Sequence, residues 1–126
     1  MLNDVLKLEY RRDYFDVTEM KPGAREIFVV VNDGSIVKRY YKPGSRKVHS
    51  VCKANCDPEA FKTLCLRISE CIELANQLDF YVDDSSEELR IYHKYGRTQT
   101  MDRGLGNGNV HIGEIMNEFL RNYISA

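Results

Sequence analysis

The order of elements β-β-β-α-β-β-α predicts an α+β domain, an antiparallel sheet of about five strands with two helices packed on one face. Three observations carry that prediction. Asp33-Gly34 lies between two apolar runs, Asp57-Pro58-Glu59 opens a long stripe at helical spacing, and a second such stripe closes the chain. At 126 residues the chain fits a single domain, 1–126, able to bury roughly two-thirds of its unfolded surface. No internal repeat or linker divides it, and 43% hydrophobic with 29% charged residues is ordinary for a folded protein.

From Val5 to Phe15 the chain alternates, with Leu6, Leu8, Tyr10 and Tyr14 on one side and Lys7, Glu9, Arg11 and Asp13 on the other, as a half-buried strand does. Lys21-Pro22-Gly23 supplies turn chemistry, and Glu26 to Val31 reads as the second strand. Asp33-Gly34 then reads as a two-residue hairpin loop. That loop sets Val31 against Ile36, Val29 against Lys38 and Ile27 against Tyr40, with Phe28, Val30, Val37, Arg39 and Tyr41 on the opposite face. Both faces of the hairpin carry apolar residues, so one packs on helices and the other calls for a cover.

Pro43-Gly44 stops the third strand, and Ser45 to Cys56 lacks periodicity and reads as a basic loop. Asp57 is placed to cap a helix that Pro58 and Glu59 favour at its first turn. The helix is expected to reach Leu78, with Phe61, Leu64, Cys65, Ile68, Cys71, Ile72, Ala75 and Leu78 in one stripe and Leu66 and Leu74 opposite it. Those two leucines mark a second contact, a candidate interface. Acidic Asp83 to Glu88 reads as a solvated connection, and Leu89 to Tyr95 and Arg97 to Arg103 as two further strands about a turn near Gly96. Ile112, Ile115, Met116, Phe119, Leu120, Tyr123 and Ile124 form the last helical stripe.

Charge is unevenly distributed. Net charge is only −1, yet Gly34 to Cys56 contains Lys38, Arg39, Lys42, Arg46, Lys47 and Lys53 and no carboxylate. Cations interleaved with Tyr40 and Tyr41 are the pattern of single-stranded nucleic-acid surfaces, where cations meet phosphates and rings stack on bases. Alternation divides them, since Lys38 and Tyr40 point one way and Arg39 and Tyr41 the other. These six cations are the candidate anion or nucleic-acid site, although a chain of near-zero net charge lacks the strongly basic footprint of many nucleic-acid domains.

Other motifs are weaker. His49, Cys52 and Cys56 have metal-type spacing without a second close pair, because Cys65 and Cys71 point to different sectors of a helix, so no metal is expected. Gly104, Gly106 and Gly108 precede a helix without phosphate-loop spacing or its lysine. The carboxylates of 83–88 do not form a calcium loop. His93, between Ile91 and Tyr95 on an inward strand face, is the one histidine to test as a base, and no catalytic set or cofactor motif accompanies it. The opening Met1-Leu2-Asn3-Asp4 has no leader character, and the longest apolar run is far short of the roughly 20 residues of a membrane span. The resulting expectation is a soluble, cytoplasmic, non-enzymatic module that binds a protein partner or its own copy, as in a homodimer, away from membranes. Single-stranded nucleic-acid binding through 38–53 is the alternative, and a small enzyme using His93 is a third reading.

Overall fold

The computed structural model describes residues 4–75, 86–96, 98–101 and 110–124, and side chains for all of these except 71–75, 86, 95, 98–101, 110 and 111. Its strands are β1 (Val5–Asp16), β2 (Lys21–Val31), β3 (Ser35–Tyr41), β4 (Ser50–Asn55), β5 (Ser86–His93) and β6 (Thr98–Met101). Helix α1 (Pro58–Ala75) separates β4 from β5, and α2 (Val110–Arg121) follows β6. The strands form one antiparallel sheet in the order β4-β3-β2-β1-β5-β6. This is the expected two-layer α+β architecture with one strand more, because the segment read as part of a basic loop pairs with β3 as β4.

The apolar core lies between the helices and the inward sheet face. Leu8 and Tyr10 of β1, Phe28 and Val30 of β2, Ile36 of β3 and Leu89 and Ile91 of β5 meet Phe61, Leu64, Cys65 and Ile68 of α1 and Ile112, Met116, Phe119 and Leu120 of α2. Both predicted helical stripes therefore supply the core, as far as Ile68 on α1; the later stripe positions Cys71, Ile72, Ala75 and Leu78 lie outside the described side chains. Asp57 caps α1 as its chemistry requires, its carboxylate accepting the Glu59 N–H at 3.0 Å. Arg67 and Glu118, 3.3 Å apart, tie the two helices together.

Three local expectations are corrected. The β2–β3 loop has three residues, with the Gly34 N–H donating to the Val31 carbonyl at 2.9 Å and Gly34 at φ +99°. A loop one residue longer slips the register by one, so Val30 faces Ile36, Val29 faces Val37 and Phe28 faces Lys38. Ile36 and Lys38 thereby join Phe28 and Val30 on the inward side, and Val37, Arg39 and Tyr41 join Ile27 and Val29 on the outward side. Lys21-Pro22-Gly23 is not the turn; it lies in β2, and the chain reverses at Val17–Met20, where Met20 takes φ +53°. In β1 an irregularity between Val5 and Lys7 turns Leu6 outward to 40% exposure and buries Val5 instead.

Candidate binding surface

The outward sheet face divides into two halves of different chemistry. On β1 and β5 the charges are matched with one another or with rings. Asp13 accepts Arg11 Nε at 2.8 Å and Arg25 Nε at 2.6 Å, Glu88 pairs with Arg90, the Tyr92 hydroxyl donates to Glu9 at 3.4 Å, and Lys7 stands 4.7 Å over the Tyr92 ring. On β2 to β4 the outward positions are Arg25, Ile27, Val29 and Val31, then Ser35, Val37, Arg39 and Tyr41, then Val51, Lys53 and Asn55. This half holds no carboxylate, and Arg39 and Lys53 are exposed on it. The sequence asymmetry is thus a spatial one, and the outward apolar strip runs up to the exposed Val51 of β4.

Strand β4 forms one edge of the sheet, and five of its six side chains are exposed. Its hydrogen-bonding phase follows from the Cys56 N–H, which donates to the Gly34 carbonyl at 2.8 Å. In an antiparallel ladder, residues alternate between bonding their partner and facing away from it. Cys52 and Ala54 therefore share the phase of Cys56 and bond to β3, while Val51, Lys53 and Asn55 turn their backbone N–H and C=O toward the outer edge, which no other strand among the described residues pairs with. The same three residues carry the outward side chains. Neither a proline nor a bulge interrupts this edge, two devices by which exposed edges are commonly blunted.

The six cations singled out in the sequence are only partly brought together. Lys38 points inward, its side chain 16% exposed and its ammonium 3.1 Å from Glu26, and so leaves the outward set. Arg39 and Lys53 occupy the sheet face, and Lys42, Arg46 and Lys47 the exposed segment that follows β3. Lys42 and Arg46 join Arg25, which sequence reading did not include, in the wall of a cavity of about 410 Å³ at the strand ends. Leu66 is exposed on α1, whereas the Leu74 side chain lies outside those described. The same holds for the glycines at 104, 106 and 108 and for Asp83 and Asp84.

His93 is fully buried, its Nδ1 2.7 Å from an Asp4 carboxylate oxygen. Together with the Lys94 N–H donating to the Asp4 carbonyl, this contact fastens the start of β1 to the end of β5. The His49 ring meets Tyr40 edge-on at 5.9 Å, Cys52 is exposed and Cys56 is buried. Among the described residues no three His, Cys, Asp or Glu side chains are grouped to hold a metal ion.

A further set of polar residues went unread in the sequence. Where the inward apolar rows end, β5, β1, β2 and β3 place Glu87, Arg12, Glu26 and Lys38 across the sheet, alternating in sign. Arg12 lies 3.8 Å from Glu87 and 3.7 Å from Glu26, and the Tyr14 hydroxyl donates to Glu26 at 2.6 Å. Burial alone would raise the Glu26 carboxyl, but Tyr14, Lys38 and Arg12 outweigh it and hold it below its ordinary value. Burial and Glu87 together push the Tyr10 hydroxyl upward. This row floors a cleft of about 870 Å³ walled by Phe28 and by Glu114, Glu118, Leu120, Arg121 and Ile124 around α2. Both signs are present in near balance and the row is internally paired, so the cleft selects no ligand charge. Position 12 shares the parity of Leu8 and Tyr10, which is the signal that could have placed Arg12 inward.

Comparison with known proteins adds no relative: no family model, curated protein or solved structure matches the chain. Among the described residues no helix is long and apolar enough to cross a membrane.

Proposed function

We propose that the chain is a non-enzymatic protein-binding module whose edge strand β4 takes up an extended, acidic segment of a partner protein. The observation that supports this most is the coincidence on one strand of open backbone groups at Val51, Lys53 and Asn55 with an outward face free of carboxylates. Strand addition draws affinity from the backbone ladder and selectivity from alternate side chains. An apolar residue opposite Val51 and a carboxylate opposite Lys53 complement this edge, each cross-strand pair contributing roughly 0.2–1 kcal/mol.

A second copy is a poorer occupant. Antiparallel pairing of two β4 strands that keeps the helices of both copies on one side must centre on a residue such as Val51, Cys52 or Lys53. Each choice brings the cationic halves of both copies together, a like-charge juxtaposition that opposes pairing.

Hydrogen exchange read during titration with a short peptide in which valine and glutamate take turns at every second position, with threonine between them so that both lie on one face, tests the proposal. The expected result is saturable, salt-sensitive binding that slows the amides of Val51, Lys53 and Asn55, with the lysine counterpart and a backbone N-methylated peptide failing to bind. Unchanged exchange of these amides at saturating peptide removes the edge from the mechanism. Their protection in a dimer without peptide would assign the edge to a second copy.

A further inference from the structure

We infer that the cavity at the far ends of β1 and β2 is a site for a nucleoside 5′-phosphate, independent of the β4 edge. Its wall includes Arg25, Lys42 and Arg46, with Asp13 as its one carboxylate. Both Asp13 oxygens are engaged, one by Arg11 and one by Arg25, so the acid offers little opposition to an incoming anion. Arg25 is anchored through Nε by that contact, which leaves the remaining N–H groups of its fork for a phosphate. Lys42 and Arg46 add two exposed cations from the segment after β3. Three cations lining one cavity match a phosphomonoester better than a single carboxylate.

The apolar part of the wall extends the ligand beyond phosphate. Pairing of β1 with β2 shifts register between Asp13 and Phe15, and this bulge leaves the Phe15 ring 51% exposed beside the cations. Pro22 and Gly23 form the adjoining wall, where β2 approaches the bulge closely enough that a Cβ at Gly23 would stand 3.0 Å from the Tyr14 carbonyl oxygen. An exposed ring next to phosphate-binding cations is the arrangement that stacks a base while holding its backbone. About 410 Å³ lies within the size range of small-ligand pockets, roughly 300–1,000 Å³.

Calorimetric titration of the full chain with adenosine 5′-monophosphate, adenosine and inorganic phosphate tests the inference. Saturable binding of the nucleotide at least about tenfold tighter than either fragment is expected, together with a loss of about tenfold or more in the K42Q/R46Q double variant. Both residues are exposed, so the variant should keep the wild-type unfolding midpoint. Phe15→Ser should weaken the nucleotide while leaving phosphate unchanged. A 5′-phosphorylated tetranucleotide that binds as tightly as the mononucleotide identifies a strand end as the source of the group; weaker binding identifies a free nucleotide. Adenosine or phosphate equalling the nucleotide, full affinity in K42Q/R46Q, or no saturation at low salt overturns the inference.

Discussion

Replacing Glu26 with glutamine removes the charge that the inward row is built around, and its cost can be worked from three contacts. Glu26 accepts the Tyr14 hydroxyl at 2.6 Å and Lys38 Nζ at 3.1 Å and stands 3.7 Å from Arg12. The Glu26 and Lys38 side chains are 15% and 16% exposed. An exposed pair contributes about 0.2–1 kcal/mol, and a hydrogen bond to a charged group about 1.5–3 kcal/mol. The geometry here lies between these limits, so a loss of about 2 kcal/mol is expected for Glu26→Gln, which keeps an acceptor for Tyr14. For a chain of this length that corresponds to a fall in Tm of about 6–10 °C.

The cleaner assay is a double-mutant cycle with Lys38→Met by urea unfolding. Methionine retains much of the aliphatic stem beside Phe28, whose ring centroid lies 5.7 Å from the Lys38 ammonium. A coupling of about 1–2 kcal/mol is expected, and additivity within about 0.5 kcal/mol would refute the pairing argument. The pH dependence has a definite sign. The folded carboxyl lies below the ordinary 4.5, so its stabilisation is complete above that value and is lost as pH falls through the folded one. Wild-type stability should therefore drop on acidification below about pH 4.5, and Glu26→Gln should flatten that drop. An identical acid limb in the variant would show that Glu26 is not held below its ordinary value.

Two further outcomes follow from the backbone and the thiols. Gly34→Ala should cost well over about 2 kcal/mol, because φ +99° disfavours any side chain and a Cβ there would stand 2.1 Å from the Cys56 carbonyl oxygen; a near-wild-type unfolding midpoint would contradict the loop geometry. Native alkylation followed by mass spectrometry should modify exposed Cys52 and spare Cys65, whose thiol burial pushes up to about 12; Cys65 modification at the Cys52 rate would show the core to be open.

The parts of the fold legible in the sequence are those whose periodicity is enforced by burial. Both helices announce themselves because apolar residues recur wherever the helix meets the sheet, and Asp57 is read correctly because capping is local chemistry. Strand β4 has no such signal. Its inward positions are Ser50, Cys52 and Ala54, small or weakly apolar, and its outward ones meet solvent, so no alternation distinguishes it from a loop. The hairpin's location is legible and its register is not, since Asp33-Gly34 fits either a two-residue loop or the end of a three-residue one. One residue of difference exchanges the partners of every inward side chain, which is how Lys38 comes to face Phe28 instead of Val29. The inward charges escape for a related reason: polarity at positions 12, 26, 38 and 87 reads as solvent exposure until four strands bring them to one level.

A net charge of −1 conceals this arrangement because the two signs are used in different places. Glu26 and Glu87 meet Arg12 and Lys38 inside the cleft, and Glu9, Asp13 and Glu88 meet partners on the β1–β5 half of the outward face, Asp13 reaching Arg25 of β2 as well. What the β2–β4 half retains is cationic, and it adjoins both the open backbone groups of β4 and the cavity that holds Lys42 and Arg46. Turning Lys38 inward makes that surface less basic than the sequence suggests, while Arg25 adds a cation from outside the basic segment. The cationic character therefore belongs to a place on the folded sheet, assembled from β2, β3, β4 and the segment after β3, and composition alone would include Lys38 and miss Arg25. Because inward and outward side chains alternate on the same strands, the paired row that steadies β1, β2 and β3 lies behind the surface it supports without drawing on its charges.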